Sequence, residues 1–239
     1  MGLFDAQIAE VRDLLEGWRE AGAVRYLERP PEAWPQEASM VLEEDTAFEL
    51  GNPALASVSF LLWSGPESVA DGAMALVGPD IPELGERSAP LAQVLMVGGD
   101  FQDDYEIYRS IRDVVYETRL KGFSVRTMPS RQSVWCRVSL QAAEGGLSFA
   151  HLGAALVDRL KGIGPVSRAE ALFVTASARE VRKLAGAASG ARVIVDAMMK
   201  MYAEKNFDCE DCDYREVCDT VEDLKKMRRK LAGDREAKN

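Results

Sequence analysis

Three of the four cysteines in this 239-residue chain lie within ten positions, and their side chains are the best suited to chemistry. They are Cys209, Cys212 and Cys218, whereas Cys136 lies far upstream. A Cys-x-x-Cys spacing lets two sulfurs point at one centre from a short turn, which is typical of a metal or redox site. The third cysteine adds a sulfur from the next turn of chain. We therefore predict that Cys209, Cys212 and Cys218 are metal ligands.

Three interpretations of this cysteine cluster stay open. The favoured one is a 4Fe–4S cluster held by three thiolates, with a fourth ligand from elsewhere or an open iron. A structural zinc site would take its fourth ligand from Cys136, His151 or a carboxylate. The third interpretation is thiols without metal, or a redox dithiol. Six acidic residues and a single arginine lie among the cysteines between positions 208 and 219, so a metal must offset the repulsion between anionic thiolates.

The composition indicates a globular protein. Hydrophobic residues make up 47% of the chain, and its length fits one large or two small domains. A net charge of −10 argues against a nucleic-acid partner. We see no apolar run of about 18 residues that could span a bilayer, and no signal-peptide pattern at the N-terminus. Clustered cysteines without a leader predict the cytoplasm, where thiols bind metals rather than form disulfides.

The elements that must position these cysteines follow from hydrophobic periodicity. Apolar residues from Phe4 to Trp18 recur at helical spacing, which predicts an amphipathic helix ending near Gly22. Around the turn at 51–53 we expect a hairpin-like pair of strands, the second running from 56 to 63. A last helix should be capped by Asp219 or Thr220 and end in basic residues. A short strand stopped by turn residues is predicted within 74–82, and further strands at 90–98, 134–140 and 171–175. Further helices are predicted at 103–120, 147–160, 177–184 and 191–205.

This alternation predicts an α/β fold, with a mixed sheet and flanking helices and a C-terminal cysteine-bearing helical segment. We expect an α/β domain over residues 1–205 and a cysteine-cluster segment with a basic helix over 206–239. No strand precedes a Gly-x-Gly-x-x-Gly or Walker pattern, and there is no Gly-x-Ser-x-Gly elbow. His151 lies inside a helix pattern, where a half-buried structural role is favoured over a catalytic base. Whether the chain is an enzyme does not follow from these residues.

Four short motifs precede the cysteine segment. They are Thr46-Ala-Phe-Glu-Leu50, Val77-Gly-Pro-Asp-Ile81, Arg109-x-Ile-x-Asp113 and Arg131-x3-Trp135-x-Arg137-Val-Ser139. These motifs and the cysteine segment occur in the order, and at about the intervals, of the middle domain of acetyl-CoA synthase, the β subunit of the CO dehydrogenase/acetyl-CoA synthase complex. The chain resembles this domain from its first helix to Cys218. The resemblance implies an α/β fold, placed in the family between a CO dehydrogenase-facing domain and a domain with a nickel–iron–sulfur site.

The resemblance further implies a coenzyme A site, because arginines and a tryptophan of this domain are thought to receive that cofactor. Arg131, Trp135 and Arg137 match that pattern by position. Guanidinium groups pair with phosphates, and an indole can stack on an adenine. Strand alternation places Trp135 and Arg137 on the same face, so both cannot easily be deep core. The alternative is that Trp135 belongs to the core and that Arg137 is a solvated strand residue.

The chain departs from the family pattern after Cys218. It has no later cysteine and no Cys-Gly-Cys that could hold a nickel pair, so acetyl-CoA synthesis by this chain alone is not expected. We hypothesise an iron–sulfur protein that acts as an electron-transfer or accessory subunit, with a partner protein, in anaerobic one-carbon or acyl-CoA metabolism. The alternative is a non-redox module that binds coenzyme A or a partner protein, with a structural zinc or no metal. A homodimer could also bring two cysteine sites together.

Overall fold

The computed structural model describes residues 2–38, 40–126, 132–203 and 212–236. These residues form an α/β protein with two mixed sheets and flanking helices, as the sequence predicted. No helix in these ranges is both long and apolar enough to cross a membrane. The strands are β1 (Val24–Tyr26), β2 (Thr46–Leu50), β3 (Ser57–Ser64), β4 (Met74–Val77), β5 (Ser88–Ala89), β6 (Leu91–Gly99), β7 (Phe123–Val125), β8 (Cys136–Ser139) and β9 (Val166–Val174). The helices are α1 (Asp5–Glu20), α2 (Asp104–Ile111), α3 (Val114–Glu117), α4 (Leu140–Glu144), α5 (Phe149–Lys161), α6 (Ala178–Lys183), α7 (Ala185–Ala203), α8 (Arg215–Thr220) and α9 (Glu222–Glu236).

The larger sheet has the strand order β1-β4-β9-β6-β3 and contains both parallel and antiparallel pairs. β4 runs parallel to β9 and β6 runs parallel to β3, whereas β6 and β9 are antiparallel. Every residue of β6, from Leu91 to Gly99, is buried. A strand buried on both faces has a continuous apolar sequence rather than an alternating one, which is why this strand was recognisable. Both faces of the larger sheet therefore need a cover of helices.

Helices supply this cover, and aromatic contacts fix them to the sheet. α5 packs against β4 and β9, where the rings of Phe149 and Phe173 lie 4.8 Å apart. α1, α6 and α7 pack against β3. Phe4, just before α1, meets the ring of Trp63 edge-on at 4.4 Å. The indole N–H of Trp63 donates to Asp104 at 2.6 Å, so Trp63 joins both α1 and α2 to β3.

Small residues line the contact between α1 and α7. The first half of α7 includes Gly186 and Gly190, separated by alanines and a serine. A Cβ at Gly186 would lie 2.7 Å from Oε1 of Glu10, and a Cβ at Gly190 would lie 3.0 Å from Nε2 of Gln7. The side chains of α1 therefore lie directly against the backbone of α7. The second half of α7 contacts α8 and α9.

The smaller sheet has the order β5-β2-β8-β7, and it shows that the predicted hairpin is wrong. β2 pairs with β8 in this sheet, whereas β3 pairs with β6 in the larger one. The chain does turn at Gly51, with φ 68°, but it passes so close to Val134 that a Cβ would clash with the Val134 carbonyl oxygen. β3 is mostly buried along its length and β2 is partly exposed. β3 needs cover on both of its faces. It finds that cover in the larger sheet beside the fully buried β6, and not beside the partly exposed β2.

Two helix predictions also need correction. The segment 103–120 forms two helices, α2 and α3, and Asp103 caps the first by accepting hydrogen bonds from two backbone N–H groups. The last helix begins at Glu222, so neither Asp219 nor Thr220 is its cap. Both residues belong to α8, where the hydroxyl of Thr220 donates to a carbonyl four residues earlier. This local bond satisfies the hydroxyl of a threonine inside a helix. A threonine in the sequence therefore does not by itself mark the start of a helix.

Glu170 places a carboxylate inside the larger sheet, where it is only 4% exposed. Arg12 of α1 binds it through both terminal nitrogens, with Nη1 3.0 Å from Oε2, and also donates to the carbonyl of Ser68 at 3.2 Å. Burial raises the pKa of Glu170, and the guanidinium of Arg12 acts in the opposite direction. A buried carboxylate without a cation is strongly destabilising. α1 therefore supplies the countercharge that β9 requires.

We predict that Arg12→Ala lowers the free energy of unfolding by about 3 kcal/mol, because it leaves Glu170 buried without its cation. The loss should shrink as the pH falls from about 7 to about 4, since the variant can then bury a neutral carboxyl group. Denaturant unfolding at several pH values measures both effects. Arg19→Ala is the matched control, because it removes an exposed ion pair with Glu16 on the same helix and should change little. Equal losses in the two variants would contradict the prediction.

Candidate metal and ligand sites

One face of the smaller sheet carries an ion pair built from two of the sequence motifs. Glu49, Arg137 and Ser124 stand opposite one another on β2, β8 and β7. Arg137 is only 8% exposed, and its Nε lies 2.7 Å from Oε1 of Glu49. Burial raises the pKa of Glu49, but hydrogen bonds from Arg137 and Asn52 lower it by more. The pKa of Glu49 therefore lies below its usual value. Arg137 is thus a buried ion-pair partner rather than a solvated strand residue.

Trp135 lies just before β8 and is half-buried, so it is not deep core. The guanidinium carbon of Arg126 lies 4.7 Å from the centre of its ring, and the backbone N–H of Arg126 donates to the Trp135 carbonyl at 2.6 Å. This arrangement is a cation–π contact. Sequence reasoning missed Arg126, because β7 has only three residues and gives too short a pattern to recognise. The third predicted ligand residue, Arg131, lies outside the described residues.

Two of the three predicted metal ligands come together at the C-terminal end of the fold. Cys212 and Cys218 form no disulfide within the described residues, and they line one small pocket together with Ala197 and Met201 of α7. Cys212 is half-buried and Cys218 is 5% exposed. Cys209 lies outside the described residues. Within the described ranges no three histidine, cysteine or acidic side chains are grouped so as to hold a metal ion. A three-thiolate site therefore requires Cys209.

Basic side chains reach the cysteine pocket from three helices. Lys200 of α7, Arg215 of α8 and Arg228 of α9 all line it. The ammonium group of Lys200 lies 5.8 Å from the ring centre of Tyr214, and Arg228 binds Asp219 at 2.7 Å. The sequence around the cysteines suggested a mainly acidic environment, since Lys200 and Arg228 join it only on folding. Cations beside thiolates can offset the negative charge that a metal–thiolate centre carries. Two thiols with these cations are a donor set that fits a thiolate-bound metal.

The fourth cysteine is unlike these two. Cys136 is fully buried on β8, opposite Leu50 of β2. Burial raises the pKa of its thiol well above the usual range. A thiol that resists deprotonation in apolar surroundings is inert. Cys136 therefore behaves as a small core residue.

Asp80 explains why the motif at 77–81 has its particular residues. Its Oδ1 accepts the backbone N–H of Ile81 at 2.7 Å and that of Phe149 at 2.8 Å. One carboxylate oxygen thereby caps both the short 3-10 turn at Ile81–Glu83 and the start of α5. Gly78 has φ 111° and packs so tightly on the backbone of Ala176 that a Cβ would clash. In this chain the motif holds β4, α5 and the end of β9 together.

His151 has the structural role that the sequence predicted. Its Nδ1 pairs with Ser148 at the start of α5, 2.8 Å from the hydroxyl, and its ring meets Trp34 edge-on at 5.1 Å. Burial lowers the pKa of His151. Trp34 donates its indole N–H to the carbonyl of Lys121 at 2.9 Å, so this residue between two prolines does pack against the body of the protein. His151 is accordingly a half-buried packing residue.

These observations define an α/β protein in which the sequence motifs supply a helix cap and a buried ion pair. A pocket lined by two cysteines lies at its C-terminal helices. The family model described as CO dehydrogenase/acetyl-CoA synthase complex beta subunit matches residues 34–177, which is more than half of the chain. The chain therefore belongs to this family. The match includes the Trp135 and Arg137 motif and ends before α6, so it does not reach the cysteine pocket.

Sequence similarity to named proteins supports this assignment. The acetyl-CoA decarbonylase/synthase complex subunit beta 2 of Methanosarcina thermophila is 27% identical over 156 residues, 63% of this chain and 32% of that protein. Subunit beta of Methanothermobacter thermautotrophicus is 31% identical over 112 residues, 45% of this chain and 23% of that protein. The corresponding subunit of Methanopyrus kandleri is 28% identical over 127 residues, 52% of this chain and 27% of that protein. The chain spans a third or less of the length of these curated relatives.

We predict that Arg137→Ala lowers the free energy of unfolding by about 3 kcal/mol, because Glu49 is left as a mostly buried carboxylate without its cation. Because the pKa of Glu49 is lower in the native protein than in the unfolded chain, its ion pair stabilises the native protein at pH values above the unfolded pKa. This stabilisation is lost as the pH falls through the native pKa. The difference between variant and wild type should therefore narrow in acid, as measured by denaturant unfolding. Adding Glu49→Gln to Arg137→Ala should recover part of the loss. A double variant as unstable as the single one would show that the ion pair is not the cause.

Proposed function

We propose that this chain is a metal-cluster-binding accessory or electron-transfer subunit, in which Cys209, Cys212 and Cys218 hold a 4Fe–4S cluster. The observation that carries the proposal is the pocket shared by Cys212 and Cys218. Relatives whose names describe them as subunits of an acetyl-CoA decarbonylase/synthase complex support action beside a partner protein. The expected division into an α/β domain at 1–205 and a cluster segment at 206–239 belongs to the same proposal. The clustering of the cysteines in the sequence favours a reducing compartment.

The residues around the thiols have distinct roles in this proposal. Ala197 and Met201 keep water from one side of the pocket, and Lys200, Arg215 and Arg228 offset the negative charge of thiolates. A bound cluster would supply one-electron transfer. Net charge and hydrogen bonds near a cluster set its reduction potential. The cations from α7 and α9 should therefore raise the potential above the value that the acidic segment alone would give.

Purification without oxygen should yield a brown protein that absorbs near about 400 nm and contains about four irons and four sulfides per chain. Cys212→Ser and Cys218→Ser should each lose most of the iron, because each removes a thiolate ligand. Cys136→Ala is the control and should keep it, since that thiol is a core residue. Iron, sulfide, zinc and nickel are measured on every variant. Zinc without iron in the wild-type protein would overturn the cluster and support a structural zinc site.

A second function, the binding of coenzyme A, is favoured by the contact between Arg126 and Trp135. This contact places a cation beside a half-buried indole on the face where the sequence predicted a ligand. The guanidinium of Arg137 is already engaged by Glu49, so its contribution is to hold β2 against β8. The proposed contacts are therefore Arg131, Trp135 and Arg126. Arginine binds phosphate groups and tryptophan stacks on a base, which suits the nucleotide part of coenzyme A.

Titration calorimetry with coenzyme A tests this second function. Arg126→Ala and Trp135→Ala should each weaken binding by about tenfold, because each removes a charged or stacking contact. Arg109→Ala is the control, since Arg109 lies on α2 in an exposed pair with Glu106. The affinity of the Arg109→Ala variant for coenzyme A should equal that of the wild type. No heat of binding at about 1 mM coenzyme A, or equal losses in all three variants, would rule out this site.

A further inference from the structure

A cavity of about 90 Å³ lies between β3, α2 and α7. It shares α7 with the cysteine pocket, but the two have no lining residue in common. Its walls are aromatic and aliphatic, and none of them is used by the proposed cluster or coenzyme A sites. An apolar cavity with a few converging polar groups is the usual form of a small-molecule site. The apolar walls are Phe60, Leu61, Trp63, Ala191 and Val195.

Two guanidinium groups stand at the edge of this cavity. Arg112 follows α2 and Arg192 lies on α7, so they approach from different helices. Each uses Nε for an exposed ion pair, Arg112 with Asp113 at 3.2 Å and Arg192 with Asp196 at 3.4 Å. Exposed pairs of this length contribute little to stability. In the described part of the chain, the terminal nitrogens of both arginines have no hydrogen-bond partner, so they can donate to a ligand.

Three further residues complete the lining: Tyr108, Gln132 and Asp196, and the last is the ion-pair partner of Arg192. Burial raises the pKa of Tyr108. Its phenol hydroxyl, protonated at neutral pH like that of any tyrosine, can donate a hydrogen bond. Gln132 has φ 53°, in the left-handed region that residues other than glycine rarely adopt, and its amide donates to the carbonyl of Ala188. Strained backbone of this kind occurs most often at functional sites. The strain at Gln132 is thus a second, independent indication of a binding site.

We propose that this cavity binds a small monocarboxylate, with its apolar tail against Trp63 and Val195 and its carboxylate between Arg112 and Arg192. The cavity has room for a short apolar tail, which we take as about three carbons. An amine would meet two guanidinium groups and one carboxylate, Asp196, which Arg192 already engages. An inorganic anion would leave the apolar walls without a partner. Arginine suits the role because its planar N–H groups match a carboxylate. The site is independent of any metal at the cysteines.

Butyrate is the probe, and its binding to the full chain is measured by titration calorimetry and by NMR of the ligand. We expect a Kd of about 1 mM, which is typical of so small a ligand. Butylammonium and butanol should bind at least about tenfold more weakly, because neither can use the guanidinium groups. Butanol or butylammonium binding as well as butyrate would overturn the proposal. The absence of butyrate binding at about 50 mM would also overturn the proposal.

Variants distinguish this site from other surfaces. Arg112→Gln with Arg192→Gln should weaken butyrate binding at least about tenfold, and Asp196→Asn should strengthen it, because it removes a competing carboxylate. Val195→Phe should abolish binding by filling the cavity, with circular dichroism to check that the variant is folded. Arg179→Gln, which changes an exposed residue of α6, should leave the affinity unchanged. Unchanged affinity in the double arginine variant would overturn the site, whereas the metal content of the same samples reports separately on the cysteines.

Discussion

The burial of β6 on both faces is the constraint on which the rest of the structure depends. A strand with nine buried residues must have neighbours on both edges and helices on both faces, because its backbone and side chains have no contact with water. β9 and β3 provide the neighbours, and the helices provide the cover. α1 also brings Arg12 to the buried Glu170, and α7 extends past the sheet to the cysteine pocket. The site is therefore built on an element that the core holds in place.

The family resemblance and the candidate metal site belong to different parts of the chain. The motifs that carry the resemblance here serve the scaffold: Asp80 caps two helices, and Glu49 neutralises Arg137. They lie within the residues that the family model matches, whereas Cys212 and Cys218 lie beyond them. Membership in the family thus accounts for how the two sheets are assembled. The proposed metal site depends instead on the end of α7 and on the segment after it, where cysteines and cations line one pocket.

Local patterns in the sequence predicted the elements whose causes are local. The helical stripe of α1, the apolar run of β6 and the Ser177 cap of α6 all follow from neighbouring residues. The pairing of β3 could not be predicted, because competition between β2 and β6 for the same strand is a property of the whole fold. The same limit applies to the cysteine pocket. Its thiols stand out by spacing, but Lys200 and Arg228 come from other helices and carry no pattern that marks them.

The glycines of α7 limit how far α1 can change. Oε1 of Glu10 and Nε2 of Gln7 lie 2.7 Å and 3.0 Å from where a Cβ would stand at Gly186 and Gly190. A larger residue at either position would therefore have to displace a side chain of α1 or move that helix. Because α1 also carries Arg12, the cation of the buried Glu170, the two glycines protect an ion pair that neither of them touches.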